Sequence, residues 1–195
     1  MTGLPFLQRL INHMFYYIYR IPLSCTLIIT AVAVAFWALI MRFLSRRLLP
    51  AVRMINIIFS LVAVCGILYI TLHHRLPGER ELILTPFHSF VEAKTQPEMY
   101  REMLMNVFLF VPLGLTMPFA LLKNALPELS QQRKNVLITL LLALFLSAAI
   151  ESAQYFFALG RAETDDIICN TLGACVGTVS FILFLFKRKE KHPNG

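Results

Sequence analysis

The chain has 195 residues, of which 57% are hydrophobic and only 15% charged, and it carries a formal net charge of +7. A soluble domain of this length cannot bury so much apolar surface, so the composition excludes a soluble protein and indicates a membrane protein. The positive charge does not indicate a nucleic-acid partner, because the basic residues are concentrated between hydrophobic segments.

Five hydrophobic segments approach the length that a helix needs to cross a bilayer core, which is roughly 20 residues for about 30 Å. Few residues remain outside them, so the sequence predicts an all-α, polytopic membrane helix bundle in a single domain, residues 1–195. The predicted transmembrane helices are residues 22–41, 54–72, 104–122, 136–158 and 167–186.

The segment before the first transmembrane helix, residues 1–21, has helical periodicity. Leu4, Leu7 and Ile11 recur on one face, with Arg9 on the other. This pattern predicts an amphipathic helix that lies at the membrane interface.

Most of the Lys and Arg residues follow the first segment, lie between the third and the fourth, or follow the fifth. The positive-inside rule makes these regions cytoplasmic, which predicts a cytoplasmic C-terminus and an N-terminus outside. Residues 73–103 then form the largest outer loop. His88 lies in an apolar part of this loop and is a candidate acid–base group, although an isolated histidine is more often structural.

The third segment contains Pro112, Gly114 and Pro118. Prolines inside a membrane-spanning helix remove backbone hydrogen bonds and bend it, and a bend leaves room for a cavity. We therefore assign Pro112 and Gly114 to helix packing.

Glu151 is the sole Asp, Glu, Lys or Arg inside the five predicted segments. An ionisable group in hydrocarbon is costly unless it is paired or hydrated. Ser147 and Gln154 lie four residues before it and three after it, so the three side chains form one polar stripe on a helix.

A second stripe follows on the next segment, where Asp166, Asn170, Gly173 and Gly177 share one helical face. The two glycines match the small-residue pattern of helix–helix seams in lipid. They are predicted to mediate helix packing, either within the chain or in a homodimer.

Polar residues from four segment ends fall in the outer half of the membrane on this topology. Arg161 lies in the connection between the fourth and fifth segments and is the nearest cation in sequence that can pair with Glu151, Asp165 or Asp166. We expect a single outward-opening polar pocket. Its predicted ligand-binding residues are Arg75, Asn106, Glu151, Gln154, Arg161, Asp165, Asp166 and Asn170.

Three interpretations of the pocket are open. The charged residues can pair with one another and pin the bundle, or they can bind a polar head group or peptide-like ligand at the outer leaflet. In an enzyme, a desolvated Glu151 would act as general acid or base, or Glu151, Asp165 and Asp166 would hold a divalent cation. The catalytic candidates are Glu151, Asp165, Asp166 and His88. The sequence has no phosphate loop and no metalloprotease spacing, so we assign it no cofactor and no resident metal.

Five motifs carry a family resemblance. They are Thr71-Leu72-x-x-Arg75, Pro86-Phe87, Asn106-x-x-Leu109-Phe110-x-Pro112-Leu113-Gly114, Glu151-x-x-Gln154 and Arg161-x-x-x-Asp165-Asp166-Ile-Ile-x-Asn170-Thr-Leu-Gly173-Ala-x-x-Gly177. Through them the chain resembles the VanZ-like family of bacterial membrane proteins over residues 69–177. It departs from the family pattern at residues 82–85, where an Asn often precedes the Pro-Phe pair.

The resemblance implies a role at the bacterial cell envelope, the name-giving member being associated with resistance to the glycopeptide teicoplanin. We therefore expect a multi-pass protein of the bacterial cytoplasmic (inner) membrane that modulates glycopeptide susceptibility by binding or altering a cell-wall precursor or lipid at the outer surface. The alternatives are a membrane-embedded enzyme that acts on a lipid or lipid-linked head group, and a structural or partner-binding protein. Expected partners are membrane lipids and a cell-wall precursor or glycopeptide-related ligand.

Overall fold

A computed structural model describes residues 23–44, 48–73, 80–96, 98–124 and 127–189. Six α-helices and two short strands occur in these ranges. They are α1 (Leu23–Leu44), α2 (Leu49–Leu68), β1 (Glu81–Ile83), α3 (His88–Glu92), α4 (Glu98–Ala120), α5 (Leu129–Phe156), β2 (Arg161–Glu163) and α6 (Thr164–Lys189). A π-helical turn, Tyr69–His73, extends α2.

Five of the helices in the described ranges are long and apolar enough to cross a membrane, which confirms the predicted all-α membrane fold. The candidate spans are Cys25–Leu44, Leu49–Leu72, Glu98–Ala120, Leu129–Phe156 and Thr164–Phe184. The predicted interfacial helix, residues 1–21, lies outside the described residues.

Four helices, α2, α4, α5 and α6, begin earlier than their predicted spans, and the difference is largest for α4 and α5. α4 begins at Glu98 rather than at Leu104, and α5 begins at Leu129 rather than at Val136. The prediction followed hydrophobicity, which ends where charged residues such as Arg101 appear, whereas a helix continues as long as its backbone hydrogen bonds are favourable.

The chain divides into two compact units at Ala33. The described part of the first unit is the beginning of α1, whose side chains from Cys25 onward are mostly exposed. The second unit contains two hydrophobic clusters. One joins the end of α1, the beginning of α2 and the ends of α4 and α6, with Phe119 packed edge-on against Phe181 and Phe184.

The other cluster includes Ile67, Phe110 and Ile150, all almost fully buried. It joins α2, α4, α5 and α6. Burying side chains of this size stabilises the bundle mainly through the dense van der Waals contacts between helices, because lipid is as apolar as the core.

Glycines allow α4 and α6 to pack backbone against backbone. A methyl group at Gly173 would overlap the carbonyl of Val107, one at Gly177 that of Val111, and one at Gly114 that of Ala174. The register of 173 with 107 and 177 with 111 means that the two helices run parallel. The glycine face is thus covered by α4 of the same chain, and a homodimer, which stays a prediction, would have to use another surface.

Two prolines lie inside α4, at Pro112 and Pro118. The Thr116 hydroxyl donates to the Pro112 carbonyl over 3.0 Å, and the Asn135 amide of α5 donates to the Pro118 carbonyl over 3.2 Å. Proline leaves the carbonyls four residues earlier, those of Phe108 and Gly114, without a helical donor, so these two bonds do not replace the lost ones. The Asn135 bond instead joins α5 to α4.

Replacing Gly114, Gly173 or Gly177 with Ala is expected to destabilise the fold, because the added methyl group must push α4 and α6 apart. Overpacking against backbone costs on the order of 3 kcal/mol, and each variant should unfold at a lower temperature in detergent, as followed by circular dichroism.

Gly66→Ala is the matched control, since a methyl group there meets no described atom within 4 Å. Removing that glycine from a helix should stabilise the protein slightly. Equal losses of stability in all four variants would contradict the assigned seam.

Candidate functional site

The connection between α5 and α6 reverses the chain within a few residues. Ala158 and Gly160 adopt positive φ values of 53° and 121°, a conformation that costs a glycine little and an alanine more. β2 follows directly and pairs in parallel with β1, with Glu81 opposite Arg161 and Ile83 opposite Glu163. This pairing, which the sequence did not predict, brings the segment that contains β1 against the connection.

Asp165 holds the loop in place through backbone hydrogen bonds. Its Oδ1 accepts the N–H of Phe87 over 2.6 Å, and its Oδ2 accepts the N–H of Ser89 over 2.7 Å. These donors lie at the start of α3, where a helix has N–H groups without an internal partner. Asp165 is 2% exposed and therefore acts as a remote cap for α3.

The loop thus reaches the site through its main chain. Residues 82–85 contain no Asn, and the hydrogen bonds of this loop to Asp165 come from the amides of Phe87 and Ser89. Phe87 has a φ of 64°, a left-handed conformation that is uncommon for a non-glycine residue.

Arg161 has different partners from those predicted. Its guanidinium lies 2.9 Å from Glu163, 3.0 Å from Glu92 and 3.3 Å from Glu81. The expected pairing with Glu151, Asp165 or Asp166 is wrong, because the loop brings in Glu81 and Glu92, which are distant in sequence. Burial lowers the pKa of the Arg161 guanidinium, but the hydrogen bond with Glu92 and the charges of the three glutamates outweigh it and raise that pKa above its ordinary value.

Glu163 connects this ion-pair cluster to the buried glutamate of α5. Its carboxylate accepts the hydroxyl of Ser89 over 2.8 Å, and its backbone N–H donates to Oε2 of Glu151 over 3.0 Å. Glu151 is 6% exposed. A backbone donor therefore offsets part of the cost of burying this carboxylate.

We use the term outer polar cluster for Glu151, Arg161, Glu163, Asp165 and Asp166, which are connected in sequence or by these contacts. The remaining predicted residues join neighbouring helices beside it. Asn106 donates to Asp166 over 2.7 Å, Gln154 donates to the carbonyl of Thr71 over 3.1 Å, and Asn170 donates to the hydroxyl of Ser147 over 2.8 Å.

Two buried amide oxygens near the cluster have no hydrogen-bond partner among the described residues, namely Oε1 of Gln154 and Oδ1 of Asn170. The two side chains are 1% and 2% exposed. The Gln154 orientation is fixed, since its neighbour is the Thr71 carbonyl, which can only accept. Buried acceptors normally receive a donor from water or a ligand.

Two predicted residues remain, Arg75 and His88. Arg75 lies outside the described residues. His88 is half-exposed, and its Nδ1 is 3.9 Å from the Glu92 carboxylate, too far for a hydrogen bond. His88 therefore contacts the outer edge of the ion pairs rather than Glu151.

The geometry limits the chemistry of the carboxylates. Both oxygens of Asp165 already accept backbone N–H groups, so this residue is better suited to holding the loop than to proton transfer. Over the part of the chain that the structure describes, no group of three His, Cys, Asp or Glu side chains is arranged to hold a metal ion. The arrangement therefore does not support a cation held by Glu151, Asp165 and Asp166.

The residues of the cluster lie in a part of the chain that matches a known protein family. The VanZ/LLP1 family model matches residues 54–185, which includes the whole outer polar cluster. The chain belongs to the VanZ/LLP1 family. It is also similar to Protein VanZ of Enterococcus faecium, with 34% identity over 116 residues.

The match covers 60% of this chain and 58% of the Enterococcus protein, so the chain spans less than two thirds of that relative. No solved structure matches the chain. Membership of the family agrees with the resemblance drawn from the motifs, and it applies to residues 54–185 rather than to the N-terminal residues.

Asp165→Ala is expected to release α3, because the amides of Phe87 and Ser89 lose their acceptor. A buried donor without a partner costs about 1–3 kcal/mol. Amide hydrogen exchange of residues 87–92 should therefore become faster, as measured by mass spectrometry on the purified protein.

Asp166→Ala is the control, since the hydrogen bond given above joins Asp166 to α4 rather than to α3. Exchange of residues 87–92 should stay at the wild-type rate in this variant. Equal acceleration in both variants would contradict the capping role of Asp165.

Proposed function

We propose that this protein acts at the outer face of the bacterial cytoplasmic membrane, where its outer polar cluster binds a hydrogen-bonding group of a cell-wall precursor or lipid and thereby changes susceptibility to teicoplanin-type glycopeptides. The resemblance to a family whose name-giving member is associated with teicoplanin resistance supports the biological setting. The distribution of Lys and Arg supports the orientation, with the C-terminus cytoplasmic and the N-terminus outside.

The observation that carries the proposal is the surplus of acceptors at the site. The amide oxygens of Gln154 and Asn170 are buried and receive no donor from the described residues. Among the described residues, three glutamates lie within 3.3 Å of the Arg161 guanidinium, so these contacts carry an excess of formal negative charge. A ligand that brings N–H or O–H donors would satisfy both features.

A purely structural role would use the same contacts differently. In that case the ion pairs and hydrogen bonds would serve only to hold the loop and the helix ends together. Asp165 is the residue that fits this role best, because both of its oxygens accept backbone donors. Glu151 and Asp166 are therefore more informative positions at which to test binding.

Glu151→Gln and Asp166→Asn are expected to abolish the change in teicoplanin susceptibility while the protein remains abundant in the membrane. Each substitution removes a charge but keeps the size of the side chain and one acceptor oxygen. The inhibitory concentration would be measured in cells that express each variant, with membrane abundance quantified in the same cells by immunoblotting.

Lys94→Gln serves as the control, because Lys94 is exposed and also lies in the outer loop. It should leave both readouts at the wild-type level. Loss of abundance together with the phenotype in the Glu151 and Asp166 variants would instead support the structural role.

The second candidate is a membrane-embedded enzyme that acts on a lipid or lipid-linked head group. The observation in its favour is that Glu151 lines a groove beside the bundle as well as belonging to the cluster. A buried carboxylate next to a space for substrate is a common arrangement for general acid–base catalysis.

An enzyme is expected to change the lipids of the cells that express it. Lipid extracts from cells with wild-type protein should then contain species that are absent from cells with Glu151→Gln, as resolved by mass spectrometry. Identical lipid profiles in the presence of an altered teicoplanin susceptibility would exclude the enzyme and leave the binding function.

A further inference from the structure

A groove opens on the side of the bundle, between the end of α5, the start of α6 and the β1 strand. Its volume is about 220 Å³. Apolar side chains form much of its lining, among them Leu82, Ala148, Phe156 and Ile167. Glu151 and Glu163 also contribute to the wall, so the groove shares two side chains with the outer polar cluster.

The rim of the groove exposes large apolar side chains. Leu84 and Phe156 are each 69% exposed, and Leu82 is 50% exposed. The α5 and α6 residues that line the groove lie in the candidate spans Leu129–Phe156 and Thr164–Phe184. The groove is therefore continuous with surface that hydrocarbon covers in a membrane, so a lipid chain is its natural occupant.

A cation marks the aqueous end of the same groove. The Arg80 guanidinium donates to the carbonyl of Phe156 over 3.2 Å. Phe156 is the last residue of α5 and lines the groove. Because carbonyl groups point toward the C-terminal end of a helix, Arg80 lies just beyond the membrane-spanning part of α5.

The placement of charge sets the direction of a bound lipid. Glu151 and Glu163 lie in the wall of the groove, where a phosphate would be repelled, whereas Arg80 lies over its outer end, where a phosphate would be attracted. An apolar chain inside the groove with a phosphate outside it satisfies both conditions.

We propose that this groove is a binding site for one chain of an outer-leaflet glycerophospholipid, with the lipid phosphate held by Arg80. The site is distinct from the acceptor-rich positions around Gln154 and Asn170. This lipid site extends the proposed function, because it supplies a lipid next to the outer polar cluster. It rests on the proposed function only for the outward orientation.

The test measures binding of phosphatidylglycerol to delipidated, purified protein by native mass spectrometry. Ala148→Phe fills the groove, and Arg80→Gln removes the cation, so each variant should bind the lipid at least about tenfold more weakly than wild type. Diacylglycerol, which lacks the phosphate, should bind wild type about as weakly as phosphatidylglycerol binds Arg80→Gln.

Two matched controls distinguish loss of the binding site from the general effects of added bulk and of a lost charge. Ala149→Phe adds the same bulk to the adjacent, exposed position of α5, and Lys94→Gln removes an exposed outer-loop charge. Both variants should bind phosphatidylglycerol as wild type does. Equal binding by Ala148→Phe and Ala149→Phe, or by Arg80→Gln and Lys94→Gln, would overturn the proposal.

Two further arms identify the occupant and separate this site from the proposed function. A polyprenyl phosphate that displaces phosphatidylglycerol at equal concentration would overturn the choice of lipid. Asp166→Asn should keep wild-type lipid binding, because Asp166 is not among the described residues that line the groove. If Asp166→Asn binds lipid normally and still changes teicoplanin susceptibility as the wild-type protein does, the proposed function is disproved and the lipid site stands.

Discussion

The close approach of α4 and α6 is the constraint on which the rest of the structure depends. Gly114, Gly173 and Gly177 let the two backbones touch, and the dense contacts that result replace the hydrophobic driving force that is absent in lipid. Because the helices run parallel, their first turns lie at the same end of the bundle. The hydrogen bond from Asn106, in the third turn of α4, to Asp166, in the first turn of α6, is formed toward that end, so the position of the site follows from the packing of the glycines.

The end of the bundle that holds the site then has to accommodate several carboxylates with little access to water. Glu151, Glu163 and Asp165 are 6%, 8% and 2% exposed, and burying unpaired charges of this kind would cost more than the stability of a typical domain. Residues 80–92 offset part of that cost through the backbone amides of Phe87 and Ser89 and through the Ser89 hydroxyl. The loop is therefore part of the bundle's electrostatic balance rather than a simple connection.

The sequence predicted what depends on composition and helical period. Hydrophobicity located the five spans, and period placed Glu151 with Gln154 on one face and Asp166 with Asn170 on the next. It could not predict the partners of Arg161, because nearness in sequence says little about contacts with Glu81 and Glu92 from another loop. Nor could it distinguish Asp165 from Asp166. Neighbouring positions at the start of a helix point about 100° apart, and here one carboxylate reaches α3 while the other reaches α4.

Glu151 belongs both to the outer polar cluster and to the wall of the lateral groove. Its carboxylate accepts the backbone N–H of Glu163, which is itself paired with Arg161, and its side chain also forms part of the wall of the lateral groove. A change in what occupies the groove would alter the surroundings of this carboxylate directly, and through Glu163 it would reach the ion pairs that hold the loop. Since low dielectric strengthens each of these contacts, lipid and polar ligand would influence each other across a single side chain. The two proposals together would give this ionisable residue a role inside a membrane helix, where its burial is costly.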